Sequence, residues 1–221
     1  MGGMVLYSHG NKPGDEKTHY ELVNLLDGNL DSIGYVPSTP ESVNFFESIK
    51  KHYTGLGFKT VKCLDIHNSF DNNVLSELLS CSAIHLSAGN PIYLSSRLKQ
   101  LGLNSHLVKY CEEGGIIIGN SGGSMQVTKS VNLYKLFCDG LEKVIKEYDD
   151  LFALGLVNFE FLPHYNRHKE EFIALVQQYT IKLGITVYSC ADGGAIIIDN
   201  KKLKFIGETY KIKSGNVMRM K

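Results

Sequence analysis

Gly115-Ile116-Ile117-Ile118-Gly119-Asn120-Ser121-Gly122-Gly123-Ser124-Met125 is the stretch whose reading decides the fold. Three consecutive isoleucines read as a strand buried on both faces, the pattern of a parallel sheet. The small residues after them allow a sharp turn into a helix, because nothing bulky crowds the backbone. Gly119, Ser121 and Gly123 make a GxSxG spacing, which sets a serine hydroxyl on a strained strand-to-helix elbow. A helix beginning near Ser121 also aims the positive end of its dipole at any oxyanion formed there. Phosphate-binding loops share the glycine-rich turn but carry a lysine spaced as in GxxxxGK, and dinucleotide sites carry GxGxxG near the first strand; the chain has neither.

Composition bounds the function classes. At 221 residues the chain can bury a sizeable core, and we expect one α/β domain over 1–221. Lys+Arg and Asp+Glu are equal at 23 each, so no net field draws the protein to nucleic acid or to an anionic membrane surface. Five cysteines without a CxxC pair argue against a disulfide framework or a thiolate metal site, and fit a reducing cytoplasm. No apolar run approaches a membrane span, and the start Met-Gly-Gly-Met-Val-Leu-Tyr lacks the regions of a signal peptide.

The rest of the chain reads as alternating strands and helices around that elbow. Met4 to Ser8 is a strand, and His9 to Lys17 a polar loop. Ile33 to Val36 is a second strand, followed by a helix from Glu41 to about Tyr53 with Phe45, Phe46 and Ile49 on its apolar side. Phe58 to Ile66 and Ala83 to Ser87 are strands separated by a helix from Asn72 to Ser80. The turn Ala88-Gly89-Asn90-Pro91 leads into a helix from Ile92 to Leu101, and another runs from Ser105 to Glu113. Asn132 to Asp150 is irregular, with loops around a short helix, and resembles an insertion at the rim of a site. Phe152 to Val157 is a strand candidate that leads to Pro163-His164. Glu170 to Leu183 is an amphipathic helix and Ile185 to Tyr188 a strand. Ala195 to Ile198 and Leu203 to Ile206 form a hairpin that closes the chain.

A nucleophilic Ser121 needs a base, a carboxylate to orient that base, and donors for the oxyanion. His164 follows a proline at the end of a predicted strand; His168 is its nearest competitor. Asp192, between two predicted strands, and Asp139 are the candidate acids. Gly89 ends a strand on a turn beside the elbow and is the candidate second donor.

At these residues the chain resembles the peptidase E family of serine peptidases, which includes aspartyl dipeptidases and the related cyanophycinases. Ala88-Gly89-Asn90-Pro91-Ile92-Tyr93-Leu94 is similar to its GGNTxxLL turn, and Gly119-Asn120-Ser121-Gly122-Gly123 to its GxSAG elbow. Pro163-His164-Tyr165 is similar to its histidine segment, and Asp192-Gly193-Gly194-Ala195 to its acidic turn before the last hairpin. The resemblance implies a fold like that of class I glutamine amidotransferases, a flavodoxin-like, mostly parallel central sheet flanked by helices. It implies Ser121 as nucleophile, His164 as base, and the amides of Gly89 and Gly122 as the oxyanion hole. For the acid it implies either Asp192, where some members carry a glutamate one methylene longer, or Asp139, soon after the nucleophile. Gly122 and Ser124 replace alanines usual around the elbow, Pro91 a threonine, and Ala88 a glycine.

The activity so implied is hydrolysis of small peptides through an acyl-enzyme, with no metal or organic cofactor. An N-terminal aspartyl dipeptide is one implied substrate, and Arg167, three residues past His164, is the candidate cation for its carboxylate. Another serine hydrolase, such as an esterase or amidase, and a non-catalytic binding protein on the same scaffold are the rival readings. We expect a cytoplasmic monomer or homodimer whose partner is a small peptide, with neither nucleic acid nor membrane involved.

Overall fold

The computed structural model describes residues 2–10 and 15–220. The three isoleucines lie in β5 (Ile116–Asn120), and all three are buried. Around it stand β1 (Met4–Tyr7), β2 (Ser32–Val36), β3 (Thr60–Cys63), β4 (Ala83–Leu86), β8 (Ala195–Asp199) and β9 (Lys202–Ile206), in the order β3-β2-β4-β5-β1-β8-β9. The first five are mutually parallel; β8 and β9 add antiparallel pairs at one edge. The sheet is therefore mostly parallel, as expected.

Alternation along β5 explains why its run of isoleucines is unbroken. Ile117 joins one core with Leu6, Leu86 and Ile196, while Ile116 and Ile118 join another with Val5, Ile33 and Ile197. The first core is covered by α3 (Asn72–Leu79), α4 (Pro91–Gln100) and α5 (Leu103–Glu112), through Leu78, Leu94, Leu98 and Leu107. The second is covered by α1 (Asp15–Leu25) and α2 (Phe46–Gly55), through Leu22 and Tyr53. A strand with helices on both faces has no polar face to alternate with. Among the described residues no helix is long and apolar enough to cross a membrane.

A second sheet, in the order β11-β10-β7-β6, joins β6 (Glu160–Leu162), β7 (Thr186–Cys190), β10 (Thr209–Lys213) and β11 (Asn216–Arg219). A third core lies among α7 (Asn132–Asp139), α8 (Leu141–Lys146), α9 (Glu170–Leu183) and this sheet, with Leu133, Leu136, Val144, Val176, Val187 and Ile212 in it.

Several local expectations change. The hairpin of β8 and β9 forms but does not close the chain, since β10 and β11 follow it. The loop expected over His9 to Lys17 falls on residues 11–14, outside the described ones, and α1 already starts at Asp15. Phe152 to Val157 is no strand: apart from the bridge Ser130 to Phe152, its amides bond to carbonyls of Gln126, Val127, Thr128 and Lys129, while Leu154 and Leu156 turn into the core. Phe58 to Ile66 contributes only four strand residues, Thr60–Cys63, and Leu64 and Ile66 beyond its end are buried in the first core. The helix expected from Glu41 begins as a 3-10 turn over Pro40–Phe45, which leaves Phe45 62% exposed instead of on a buried side. Asn132 to Asp150 is more regular than expected, with α7, α8 and a 3-10 turn at Tyr148–Leu151.

One buried acid in the second sheet yields a test of stability. Glu160 is fully buried and accepts from the hydroxyls of Ser130 and Tyr179. Burial pushes its carboxyl up to about 7, against the smaller opposing pull of those two donors. The folded state thus holds this proton more tightly than the unfolded chain, so stability falls as pH rises from the ordinary glutamate range through about 7. Thermal melts of the wild type should lose Tm across that window. Glu160→Gln, which has no charge to bury, should show a flatter profile; identical slopes would rule out this account.

Candidate functional site

The site forms where parallel strands end, at the C-terminal edge of the central sheet. Ser121 directly follows β5 and precedes α6 (Gly122–Val127). Its backbone has φ 51° and ψ −110°, a conformation that a non-glycine residue holds only under constraint. The constraint is visible: the Ser121 amide donates to the Tyr7 carbonyl at 2.9 Å, and the Ser124 hydroxyl donates to the same carbonyl at 2.8 Å. The elbow is thereby tied to the end of β1.

His164 follows β6 and is also left-handed, at φ 60°. Its amide donates to the buried Ser8 hydroxyl at 2.7 Å, and that hydroxyl donates to the Cys190 carbonyl at 2.8 Å. Held this way, the imidazole Nε2 stands 2.9 Å from Ser121 Oγ, and Nδ1 stands 2.6 Å from Asp192 Oδ1. With a proton on Nδ1 donated to the carboxylate, Nε2 is free to accept from the serine hydroxyl. Burial lowers the His164 pKa, Asp192 opposes that, and the Arg167 charge adds to it. The imidazole is neutral at neutral pH, as a base must be.

Asp192 lies in the turn between β7 and β8, and its oxygens are divided. Oδ1 takes the His164 bond, while Oδ2 accepts from Arg167 Nε at 2.7 Å and Nη2 at 2.6 Å. The Asp192 amide donates to Asn166 Oδ1 at 2.8 Å, which fixes the turn itself. Burial by itself would raise the carboxyl, but the bonds from His164 and Arg167 outweigh it and hold the pKa below the ordinary range. The shorter aspartate reaches the imidazole without difficulty.

Other expected residues sort differently. Asp139 pairs with Lys143 at 3.0 Å, at the end of α7, and the carboxylate on the imidazole is Asp192. His168 Nε2 donates to the Pro163 carbonyl at 2.9 Å, so that nitrogen carries its proton and cannot serve as a base. Arg167 stands beside the site but is engaged with Asp192 instead of being free. Ser8 and Asn166 had no signal in the sequence beyond their neighbours, since each acts through a strand end or a turn that brings distant residues together.

Gly89 and Gly122 meet across the site. Gly89 has φ 141°, and a Cβ on it would collide with the Ser38 hydroxyl; a Cβ on Gly122 would collide with the Gly89 carbonyl. Neither amide is among the donors of the loop and turn hydrogen bonds of the described residues. Both glycines border, with Ser121 and His164, a cavity of about 300 Å³. Its other walls include Met125, Leu133, Tyr134, Phe137 and Leu162. Among the described residues no cluster of His, Cys, Asp or Glu is arranged to hold a metal ion.

Comparison with known proteins places the chain in a family. The model of peptidase family S51 matches residues 4–206. An uncharacterized peptidase of Listeria monocytogenes is 30% identical over 191 residues, covering 82% of this chain and 90% of its own. An uncharacterized peptidase of Pasteurella multocida is 24% identical over 203 residues, covering 89% and 92%. In fold, the chain is similar to a crystal structure of a candidate peptidase E protein from Listeria monocytogenes, with TM-score 0.71, 24% identity and coverage of 93% and 98%. It is also similar to that of a peptidase from an acI-B1 actinobacterium, with TM-score 0.75, 16% identity and coverage of 100% and 94%.

The charges around His164 make its titration a test of the geometry. Its imidazole should titrate below the ordinary value of about 6.5. Arg167→Met removes a cation that disfavours imidazolium, so it should raise that pKa; Asp192→Asn removes the favourable partner, so it should lower it further. Proton NMR of the imidazole C–H resonances against pH reads both shifts. A pKa indifferent to both substitutions would mean that the three side chains are not coupled as drawn.

Proposed function

The chain belongs to peptidase family S51 and is a serine-type peptidase of the peptidase E kind, and from that premise we propose that Ser121, His164 and Asp192 hydrolyse small peptides through an acyl-enzyme. The observation that carries the proposal is the continuous chain from Ser121 Oγ through the imidazole to Asp192 Oδ1, with bonds of 2.9 and 2.6 Å. Ser121 Oγ attacks the scissile carbonyl carbon while His164 Nε2 takes its proton. The carbonyl oxygen, now an oxyanion, lies against the amides of Gly89 and Gly122 and the start of α6. His164 returns the proton to the leaving nitrogen as the carbon–nitrogen bond breaks, leaving an ester on Ser121. Water, deprotonated by the same imidazole, then releases the acid and restores the serine. Asp192 keeps the Nδ1 tautomer and stabilises the imidazolium formed in each half-reaction, and Arg167 keeps Asp192 ionised.

The partner in this reading is a small peptide that fits the cavity beside Ser121. Preference for an N-terminal aspartyl residue would require Arg167 to exchange Asp192 for the substrate, at the expense of the acid's support. All five cysteines are free thiols, which suits the cytoplasmic setting we propose.

A fluorophosphonate probe should add mass to Ser121 and to no other serine. On dipeptide substrates, His164→Ala and Asp192→Asn should each lower kcat by about 10⁴-fold, whereas His168→Ala should cost less than about tenfold. Labelling elsewhere with Ser121 untouched, or a dead His168 variant beside an active His164 variant, would overturn the assignment.

A further inference from the structure

We propose that this peptidase selects an apolar side chain, of leucine to phenylalanine size, on the acyl side of the scissile bond. The inference rests on the catalytic reading above and adds to it the class of substrate. The cavity of about 300 Å³ opens directly off Ser121, Gly122 and His164, so a side chain seated in it lies next to the carbonyl under attack, and in this proposal it belongs to the acyl residue. Its volume lies at the small end of ligand pockets, roughly 300–1,000 Å³, which suits an amino-acid side chain better than a long peptide.

The walls decide the chemistry. Met125, Leu133 and Leu162 are buried, and α7 adds the half-buried Tyr134 and the exposed Phe137. Phe137 is 62% exposed, yet its ring is held edge-on against Phe172, with centroids 5.2 Å apart, and lies 6.0 Å from the His168 ring. A large aromatic fixed in place but left uncovered beside a reactive serine offers surface that a ligand would bury. The two basic side chains of the wall other than His164 are engaged: Arg167 gives Nε and Nη2 to Asp192, and His168 gives Nε2 to the Pro163 carbonyl. A carboxylate entering the cavity would lose water and meet a cation already shared with Asp192, whereas each buried methylene gains. The sequence singled out Arg167 for an acidic substrate; the geometry assigns it to Asp192 and leaves the apolar wall as the selecting surface.

The test uses diphenyl phosphonates bearing alanine, leucine, phenylalanine or aspartate side chains, with the rate of mass addition at Ser121 as the readout. The leucine and phenylalanine probes should label at least about tenfold faster than the aspartate probe. Phe137→Ala should slow the phenylalanine probe several-fold more than the alanine probe. Phe137→Lys, also at an exposed position, should raise the aspartate rate relative to leucine. Faster labelling by the aspartate probe in the wild type, or Phe137 variants that scale all four rates equally, would overturn the proposal while leaving Ser121 as the nucleophile. If no probe labels Ser121, the catalytic reading fails, and this inference with it.

Discussion

A single buried hydroxyl, that of Ser8, fixes the relation between the two sheets on which the site depends. It sits just past β1 in the central sheet, donates to the carbonyl of Cys190 at the end of β7, and accepts from the amide of His164 just past β6. The Ser8 amide, in turn, donates to the Gly194 carbonyl at 3.0 Å. Ser121 is delivered by the central sheet, and His164 and Asp192 by the second. Without a fixed register between the sheets the serine and its base would drift by more than a hydrogen bond tolerates. Neutral hydrogen bonds are individually modest, about 1 kcal/mol each, but leaving a buried partner unsatisfied costs more. Ser8 therefore constrains two backbone groups through the cost of losing them.

The second dependence is electrostatic. His164 is buried enough to resist protonation, and Asp192 is the carboxylate that makes imidazolium tolerable when it forms. Arg167 acts on both with opposite consequences: it keeps Asp192 ionised, yet repels the charge on His164. The net effect is an imidazole that is neutral at rest beside a carboxylate that stays charged, which is what the proposed mechanism requires of them. A free cation in that place could have served a substrate; two bonds to one carboxylate oxygen make it part of the support.

What could be read from the sequence was whatever local pattern dictates. Ile116, Ile117 and Ile118 announced a strand covered on both faces, and GxSxG announced the turn after it. Residues 88–91, 163–165 and 192–195 were legible because short segments with proline or glycine carry strong local preferences and matched a known family. Lost were features defined by distant pairing. β11 is an exposed edge strand, and β10 carries Lys211 between its buried Thr209 and Ile212 and Lys213 at its end, so the pair resembles a polar tail. Phe152 to Val157 has the composition of a strand, but its amides find carbonyls at the end of α6 before any sheet is reached. Arg167 was correctly placed beside the site, and its partner could be known only once the turn after β7 was folded against it.

The glycine pair at the elbow has a consequence for how this chain differs from its relatives. A Cβ on Gly122 would strike the Gly89 carbonyl and come within 3.3 Å of Pro91 Cδ. Two of the departures from the peptidase E pattern, glycine for alanine at 122 and proline for threonine at 91, thus occupy the same few cubic ångströms. The space a methyl would need is filled first by the Gly89 carbonyl, with the Pro91 ring at its side. A methyl at 122 would therefore require the Gly89 loop itself to move, whatever residue stands at 91, and with it one wall of the cavity beside Ser121.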